Sequence, residues 1–308
     1  MAVRLMLLGA DGFFGQHVRA RLAQEPDVVV TTVARREDVM PDLQLDLTES
    51  GVAVAHAIRE YAPEIVVNCA GSAVGEPAAL AANNLVAVAN TVDALLTAGR
   101  PIRLVHLGSA SEYGRVPAGT AIREDAAERP VTVYGLSKLA ATRLVHTAAA
   151  AGLDAVALRV TTPIGPEAPA SGLLGRVAAQ LRQVATEGSG GITTGPLEDV
   201  RDYVDVRDVA DAVAAAALRP HGRALPAVLN VGSGVGTPTR RMVESLLTLA
   251  GFTGGLRMDG GGAHRDTSVQ WQCCDVTAAR EFLGWAPTRS LETSLRDLWE
   301  SSATLAPC

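Results

Sequence analysis

Short apolar runs alternate with longer segments of helical periodicity through the first half of the chain. The runs are rich in Val, Ile and Leu, which is typical of buried strands. The predicted strands are Val3–Leu8, Val28–Val33, Ile65–Cys69, Arg103–Gly108 and Ala155–Val160. The predicted helices between them are Phe13–Gln24, Val52–Glu60, Ala79–Ala98 and Tyr134–Ala151. Strands separated by helices need crossover connections, so the pattern predicts an α/β fold with a doubly wound parallel sheet.

The pattern changes after residue 160. Three stretches are rich in glycine, Thr161–Gly175, Gly188–Pro196 and Gly260–Ala263, and the first of them is predicted to be a loop. Shorter elements are predicted between them: helix Val206–Leu218, strand Ala227–Val231 and helix Thr239–Gly251. We predict one domain over residues 1–160, with 206–231 returning to it, and a smaller C-terminal α/β domain over 161–308.

Composition narrows the functional classes. The 308 residues are 48% hydrophobic and 19% charged, with a net charge of −6, which is typical of a compact globular protein. No Lys/Arg-rich segment is present, so binding to nucleic acid or to an acidic membrane is not expected. No apolar run comes near the roughly 20 residues of a membrane span. Cys69, Cys273, Cys274 and Cys308 lack CxxC spacing, so no metal site or disulfide framework is expected, and we predict a cytoplasmic protein.

A glycine loop follows the first predicted strand and opens the first predicted helix. Gly9, Gly12 and Gly15 give the spacing GxxGxxG, with Asp11, Phe13 and Phe14 between them. Glycine permits positive φ and close approach of a phosphate, and the helix N-terminus supplies free N–H groups to a pyrophosphate. This context predicts a dinucleotide site. A turn that serves only tight packing is the alternative.

The end of the second predicted strand bears on the choice of cofactor. NAD sites usually have a carboxylate there for the ribose hydroxyls, whereas this chain has Arg35 and Arg36. Two guanidinium groups suit a 2′-phosphate, so we predict NADP(H), with NAD(H) as the alternative if both arginines are solvated surface charges. Asp46 lies further on, where a carboxylate can accept from the adenine amino group.

Tyr134 and Lys138 form a YxxxK motif at the start of a predicted helix. Residues four apart share one helical face, so the ammonium can lie near the phenol and a cofactor ribose. A neighbouring ammonium and a positive nicotinamide ring lower the pKa of a tyrosine from its ordinary value of about 10. Tyr134 can then exchange a proton with a substrate oxygen while hydride moves at the attached carbon. An ordinary helix start is the alternative.

Two serines follow the fourth predicted strand. Ser109 and Ser111 lie where that strand reaches the carboxyl edge of the sheet. A hydroxyl at that edge can bind the same substrate oxygen as Tyr134 and stabilise developing charge. Capping of the loop is the alternative for one of them.

These motifs together resemble those of an extended short-chain dehydrogenase/reductase of the NAD-dependent epimerase/dehydratase family. The similar segments are GADGFFG, LDLTES, NCAG, GSASEYG, YGLSK, RVTTPIGP, RDYVDVRDVADAV, NVGSG and FLGWAP. The resemblance implies a Rossmann-type sheet with a smaller substrate domain, a nucleotide-diphosphate sugar as substrate, and a homodimer formed through the helices Ala79–Ala98 and Tyr134–Ala151. It also implies that Ser109, Tyr134 and Lys138 are the catalytic triad. Further cofactor contacts implied by it are Leu47, Cys69, Ala70, Gly71 and Asn84.

The subclass depends on one displaced acid. Dehydratases that this chain resembles have an acidic residue two positions after the catalytic Ser or Thr, where this chain has Ser111. Glu112 is displaced by one, and on an extended segment it would point the other way. The resemblance is greatest to GDP-4-keto-6-deoxymannose reductases and other 4-ketoreductases, which implies NADPH-dependent reduction of a nucleotide-linked 4-keto-6-deoxyhexose. An epimerase with tightly bound NAD and a non-catalytic dinucleotide sensor are the alternatives.

The substrate contacts depart from the family pattern at one position. Thr162 stands where the family usually has an asparagine that contacts substrate. Arg201 is the better candidate for the diphosphate, as a bidentate donor, and Arg176 is a weaker one. A surface ion pair of Arg201 with Asp202 or Asp205 is the alternative.

Overall fold

The computed structural model describes residues 2–36, 40–188, 190–220, 225–259 and 269–304. The glycine-rich stretch Gly260–Ala263 and Cys308 lie outside the described residues. The strands are β1 (Val3–Leu8), β2 (Val28–Ala34), β3 (Leu43–Gln44), β4 (Ile65–Asn68), β5 (Arg103–Ser109), β6 (Ala155–Val160), β7 (Thr162–Ile164), β8 (Ile192–Thr194), β9 (Val200–Asp205), β10 (Val228–Val231), β11 (Gly236–Pro238), β12 (Leu256–Met258) and β13 (Trp271–Gln272).

The α-helices are α1 (Phe13–Leu22), α2 (Gly51–Tyr61), α3 (Pro77–Ala81), α4 (Ala87–Leu96), α5 (Val133–Ala150), α6 (Leu173–Glu187), α7 (Val206–Ala217), α8 (Thr239–Leu249), α9 (Thr277–Leu283) and α10 (Leu291–Ser301). A π-helical segment, Ala82–Val86, joins α3 to α4. Two 3-10 turns span Ala110–Glu112 and Ser302–Thr304.

Seven strands form one parallel sheet in the order β10-β6-β5-β4-β1-β2-β3. The predicted α/β fold with a doubly wound parallel sheet is confirmed. Leu5 and Leu7 of β1 face a core that contains residues of α1 and α7, whereas Met6 and Leu8 face a core that contains residues of α2, α4 and α5. Burial of both faces explains why the strands read as continuous apolar runs. The chain reverses its direction of strand addition between β1 and β4, and ligands of such sheets bind at that point.

Part of the second half returns to this sheet. Strand β10 pairs with β6, with Leu229 opposite Leu158, and α7 packs against α1. The rest of the second half has a separate apolar core, which includes Leu174, Val177 and Val243. This second core joins α6, α8 and α10 to the small sheet that contains β9.

The glycine-rich stretches are more ordered than their composition predicts. The loop predicted over Thr161–Gly175 contains strand β7 and the start of α6, which corrects that prediction. Gly188–Pro196 contains strand β8, which pairs in parallel with β12. Helix α6 forms because Leu174, Val177, Ala178 and Leu181 recur at helical spacing and bury one face.

The helix predicted as continuous over Ala79–Ala98 begins earlier and is interrupted. It starts at Pro77, passes through the π-helical segment Ala82–Val86 and ends at Leu96. A π turn holds one extra residue and is frequent at functional sites. Here it carries the buried side chain of Asn84.

The same helical segment departs from the expectation about membrane spans. Pro77–Leu96 is the one helix in the described part of the chain that is long and apolar enough to cross a membrane. Its residues Val88, Val92 and Leu95 belong to the apolar core against the main sheet. Packing inside the folded protein therefore accounts for its composition.

Candidate active site

The carboxyl ends of three neighbouring strands meet at one edge of the sheet. Leu8 at the end of β1 pairs with Asn68 of β4, and Asn68 pairs with His106 of β5. The segments that follow these strands therefore begin side by side. The glycine loop and the Cys69–Gly71 segment lie there beside Ser109, the last residue of β5, and the sequence analysis had singled out all three separately.

The glycine loop turns tightly from β1 into α1. Gly9 has φ +71°, and a Cβ on Gly15 would lie 2.0 Å from the carbonyl oxygen of Gly9. Gly12 caps α1 without any side-chain hydrogen bond to the first turn. The first N–H groups of α1, from Phe13 onward, are therefore open to an anion, and a pyrophosphate fits this position. Asp11 is half-buried in this turn, and Phe14 lines the adjacent cavity.

The segment after β4 is held by Asn84. Its side-chain oxygen accepts from Ser72 N at 2.8 Å, and its side-chain nitrogen donates to Ser72 O at 2.8 Å and to Ser137 Oγ at 2.9 Å. A Cβ placed on Gly71 would lie 2.7 Å from Asn84 Oδ1 and 3.9 Å from Lys138 Nζ. Asn84 thus holds a narrow backbone strip, residues 69–72, in place beside Lys138.

Cys69 and Ala70 complete this strip. Burial raises the pKa of the Cys69 thiol to about 12, with partial opposition from the charge of Lys138. The Cys69 side chain, which lines the cavity, is therefore neutral at physiological pH. It is a free thiol, as are Cys273 and Cys274.

Lys138 is buried beneath this strip and is the only lysine in the chain, which otherwise takes its basic residues from arginine. Its ammonium donates to the carbonyl oxygen of Leu107 in β5. Burial lowers the pKa of Lys138 from 10.5 to about 8, and the charge of Glu112 partly opposes this. Because a lone lysine among 27 basic residues is unusual, this count was a signal in the sequence for a special role.

Tyr134 and Ser109 meet where α5 begins. Thr132 accepts from Gly135 N at 3.0 Å and so caps the helix, and a Cβ on Gly135 would lie 2.6 Å from the carbonyl oxygen of Ser111. The first turn of α5 therefore packs directly on the turn that follows β5. The side chains of Ser109 and Tyr134 are close enough for a hydrogen bond that acts on the phenol.

The electrostatics of Tyr134 differ from the expectation. Burial raises the pKa of Tyr134 above its ordinary value, the hydrogen bond with Ser109 opposes this, and the charge of Glu112 adds to it. The predicted lowering by Lys138 is absent in the protein alone, because burial disfavours the phenolate more than any neighbour favours it.

The turn after β5 also corrects the expected geometry of Glu112. Ala110–Glu112 is a 3-10 turn and not an extended segment. Ser111 lines the cavity, and its backbone N–H donates to Ser109 Oγ at 3.2 Å. The Glu112 carboxylate folds back, away from the cavity, and accepts from Ser109 N at 2.7 Å.

The predicted substrate-binding residues at the other end of the site do not all line the cavity. Thr162 and Arg201 line the same cavity as Tyr134, whereas Arg176 is exposed on α6 and is not among the lining residues. Arg201 Nε lies 2.8 Å from Asp199 Oδ2, so its partner is neither Asp202 nor Asp205 as the alternative expected. Both of those carboxylates are buried in other hydrogen bonds.

The side chains near the end of β2 lie outside that cavity. Arg35 and Arg36 are exposed, and Arg35 Nη1 donates to Asn83 Oδ1 at 3.2 Å and lies 3.8 Å from Asp46. Against the opposing effect of burial, hydrogen bonds from Thr48 lower the pKa of Asp46. Leu47 beside it is buried. Exposed guanidinium groups at this strand end fit a phosphorylated ribose.

Apart from the side chains near the end of β2, one cavity of about 570 Å³ joins these parts, which is the size expected of a small-molecule site. It reaches from Gly12 and Phe13 past Tyr134 to Arg201. Further lining residues were not predicted from the sequence: Ser72, Val74, Leu173, Asp199, Tyr203 and Gln272. Ser72 and Val74 follow β4, Leu173 opens α6, and the other three lie just before or within β9 and β13. Apart from Tyr203, which lies in the segment RDYVDVRDVADAV, none of them belongs to a motif that the sequence analysis used.

Comparison with known proteins identifies the family. The profile described as "NAD dependent epimerase/dehydratase family" matches residues 5–232. The chain belongs to this family.

Relatives in this family act on nucleotide sugars. The chain is 36% identical to dTDP-6-deoxy-L-talose 4-dehydrogenase (NAD(P)(+)) of Kitasatospora kifunensis, over 98% of this chain and 96% of the relative. It is 30% identical to GDP-6-deoxy-D-mannose reductase of Pseudomonas aeruginosa, over 98% of each chain. Nucleotide-sugar epimerases are also among its relatives.

A solved structure agrees with this assignment. The structure of RMD from Pseudomonas aeruginosa complexed with NADPH superposes with a TM-score of 0.84 at 26% identity, over 98% of this chain and 99% of that one. This protein is therefore a Rossmann-fold member of the NAD dependent epimerase/dehydratase family, and its relatives are nucleotide-sugar oxidoreductases and epimerases.

Proposed function

We propose that this enzyme catalyses the NADPH-dependent reduction of the 4-keto group of a nucleotide-linked 4-keto-6-deoxyhexose. The proposal depends on one observation: Ser109, Tyr134 and Lys138 line the same cavity. The N-terminus of α1 and the guanidinium of Arg201 also face this cavity. This arrangement supplies a proton, a hydrogen-bond donor and an anion site around one carbonyl.

Each residue of the site has a separate role in the proposed reaction. A bound NADPH supplies the hydride. Tyr134 donates the proton to the oxygen that was the ketone, and Ser109 donates a hydrogen bond that orients that oxygen and stabilises its developing charge. Lys138, held against Leu107 O, lines the same cavity as Tyr134, where its positive charge favours proton transfer and its N–H groups can bind the ribose. Arg201 binds the diphosphate of the substrate.

The carboxylates in and near the cavity argue against a dehydratase. Among the described residues that line the cavity, the one carboxylate is Asp199, and it is paired with Arg201 at 2.8 Å. Glu112 is buried and accepts from Ser109 N, Thr142 Oγ1 and Arg159 Nε. No unpaired acid is therefore available there to abstract a proton from C5, which a dehydratase needs.

The choice of NADP(H) is supported by the arginines at the end of β2. Arg35 is exposed, and its side-chain contacts with other described residues are a 3.2 Å hydrogen bond and a 3.8 Å ion pair, both weak enough to give way to a 2′-phosphate. The related reductase structure was solved with NADPH. The name of the related talose dehydrogenase includes NAD(P)(+), so assays of this protein should use both cofactors and both reduction and oxidation.

The decisive experiment follows NADPH absorbance with a panel of dTDP- and GDP-linked 4-keto-6-deoxyhexoses. We expect NADPH consumption with at least one of them, and NMR of the product identifies the configuration at C4. The proposal fails if the purified protein oxidises no NADPH with any member of the panel while it still binds the cofactor.

An epimerase is the second candidate, because nucleotide-sugar epimerases are among the relatives. An epimerase would retain NAD through purification and would interconvert UDP-hexoses without added cofactor. Release of a stoichiometric nucleotide on denaturation, together with such an interconversion, would favour it over the reductase.

The remaining features of the proposal concern organisation. We infer that residues 1–160, with 206–231, bind the cofactor, and that the rest of 161–308 binds the sugar nucleotide. We also infer a cytoplasmic homodimer. The exposed apolar side chains Val86 and Leu136, on neighbouring helical elements, support the dimer.

A further inference from the structure

The carboxylate of Glu112 is buried directly behind the catalytic serine. Its Oε1 accepts from Ser109 N at 2.7 Å and from Thr142 Oγ1 at 2.9 Å. Its Oε2 accepts from Arg159 Nε at 2.7 Å. Neither Glu112 nor Arg159 is exposed to solvent. The same carboxylate thus joins the turn after β5, helix α5 and strand β6.

The partner of Glu112 is itself held from several sides. Arg159 Nη2 donates to Glu128, and the guanidinium lies 4.6 Å from the centroid of the Tyr113 ring. Tyr113 in turn donates to Asn230 Oδ1 at 2.7 Å. The guanidinium therefore cannot move without breaking its contacts to three other residues, Glu112, Tyr113 and Glu128. Such a pair is costly to disrupt, because removal of one partner leaves the other buried charge without compensation.

A turn that only needed a cap would not require this arrangement. The backbone around Ser109 already has a local cap, since Ser109 Oγ accepts from Ser111 N. A neutral side chain at position 112 could accept from Ser109 N without an arginine behind it. The chain instead places a buried ion pair next to the hydroxyl, the phenol and the only lysine.

We propose that Glu112 is a positioning residue for the reaction, which fixes the backbone that carries Ser109 and maintains a negative charge behind Tyr134 and Lys138. The inference rests on the proposed function for the roles of those three residues. Glu112 touches neither the cavity nor a substrate, so it acts through them.

The charge of Glu112 reaches both ionisable members of the site. It raises the pKa of Tyr134 and, against the larger effect of burial, that of Lys138. The other titratable groups that face Lys138 are Cys69 and His106, and burial keeps both of them neutral. Glu112 is therefore the negative group that balances the buried ammonium.

The test uses the single lysine. In protein labelled with carbon-13 lysine, one side-chain Cε signal reports the titration of Lys138. We expect Glu112→Gln to move the midpoint of this titration from about 8 to lower pH, by about one pH unit, because one stabilising charge near the ammonium is removed. Glu124→Gln is the matched control. That residue accepts from Asn230 N at 2.9 Å in the same region but is not among the groups that act on Lys138.

An unchanged midpoint in folded Glu112→Gln would overturn the proposal, as would an equal shift in the control. If the single variant does not fold, the double variant E112Q/R159Q replaces it, since it keeps donors and acceptors in place without an unpaired charge. A smaller shift to lower pH is expected there, because the positive charge of Arg159 is removed together with the negative charge of Glu112, and an unchanged midpoint would also overturn the proposal.

The titration needs no substrate, so it is independent of the proposed reaction. If the wild-type enzyme turns over no sugar nucleotide, the proposed function fails while the role of Glu112 is still decided by the lysine signal. With an active enzyme, we further expect at least about a ten-fold lower kcat in Glu112→Gln with the KM for NADPH unchanged, as for loss of positioning in a general acid site.

Discussion

The ammonium of Lys138 donates a hydrogen bond to the carbonyl oxygen of Leu107, two residues before Ser109 in the same strand. Helix α5 is thereby tied to the strand that delivers the serine. The contact gives the buried ammonium a hydrogen-bond acceptor, although none of the ion pairs among the described residues involves it. Its charge is met by a backbone dipole and, from further away, by Glu112.

The first prediction concerns proton transfer. Tyr134→Phe removes the phenolic proton and leaves the ring, so we expect kcat to fall by at least about 10², the scale of general acid catalysis. The dissociation constant of NADPH, measured by fluorescence, should stay within about two-fold, since no phenolic contact to the pyrophosphate is lost. Tyr61→Phe is the control, because that residue lies at the end of α2 and is not among the residues that line the cavity. Near-normal turnover in Tyr134→Phe would contradict the assignment.

A second prediction links Lys138 to stability. Burial lowers its pKa from 10.5 to about 8, so the folded protein holds the proton less tightly than the unfolded chain does. At pH 7 this costs about 3 kcal/mol of unfolding free energy. Lys138→Met should therefore raise the unfolding free energy at pH 7 by about 2 kcal/mol, once about 1 kcal/mol for the lost hydrogen bond is subtracted, while activity is abolished.

The pH dependence gives this prediction its control. Between about pH 8 and pH 10.5 the unfolded chain binds more protons than the folded protein at this site, so wild-type stability rises with pH relative to the variant. Urea unfolding at pH 7 and pH 10 should therefore show an advantage for Lys138→Met that disappears at the higher pH. An advantage of the same size at both values would exclude the ionisation of Lys138 as its cause.

The third prediction separates two glycines of one loop. A Cβ on Gly15 would lie 2.0 Å from Gly9 O, whereas a Cβ on Gly12 has its nearest neighbour at 3.4 Å. Gly15→Ala should lower the unfolding free energy by about 3 kcal/mol or more, because backbone must move. Gly12→Ala should leave stability within about 0.5 kcal/mol but weaken NADPH binding at least about ten-fold, because the methyl group occupies the place of the pyrophosphate.

Calorimetry and cofactor titration of the two glycine variants check this prediction. Unchanged NADPH affinity in folded Gly12→Ala would show that the phosphate lies elsewhere. A Gly15→Ala protein as stable as the wild type would show that the loop can relax around the added carbon.

The sequence predicted the strands of this fold best where apolar residues run continuously. The central strands β1, β4, β5 and β6 of the main sheet are buried on both faces, so Leu5–Leu8 and its counterparts are predicted as strands without ambiguity. The edge strand β3 has no buried residue and was not predicted. Strands β7 and β8 are three residues long and lie among Gly and Pro, and pairing with distant strands forms them. Local pattern carries no trace of that pairing.

The candidate site shows the same division. Ser109, Tyr134 and Lys138 each follow a predicted strand or open a predicted helix, so the topology brings them together. The folding back of Glu112 depends on Arg159 in the neighbouring strand β6, and Arg201 pairs with Asp199, which directly precedes β9. In each case several carboxylates lie close together in the sequence, and the spacing of residues does not show which of them the arginine binds.

The fourth prediction tests the cofactor. Replacement of Arg35 and Arg36 together by alanine should raise the KM for NADPH at least about ten-fold and leave that for NADH within about two-fold, because a charge-assisted contact to a phosphate is worth about 1.5–3 kcal/mol. Arg4→Ala is the control. Arg4 is an exposed arginine at the opposite end of β1, and it pairs with Glu64 at 3.0 Å. An equal loss for both cofactors, or a wild-type preference for NADH, would contradict the assignment of the 2′-phosphate site.

The last prediction concerns assembly. Leu136 on α5 is 59% exposed and Val86 on the adjacent π-helical segment is 41% exposed. Apolar side chains clustered on one face are typical of an interface, so the wild-type protein should elute as a dimer by size exclusion with light scattering. Leu136→Arg should convert it to a monomer, because a guanidinium would be buried against its own copy across a two-fold axis. Val52→Arg, at a 76% exposed position on α2, should leave the dimer intact. A wild-type monomer at all concentrations, or a dimer that survives Leu136→Arg, would place the contact surface elsewhere or remove it.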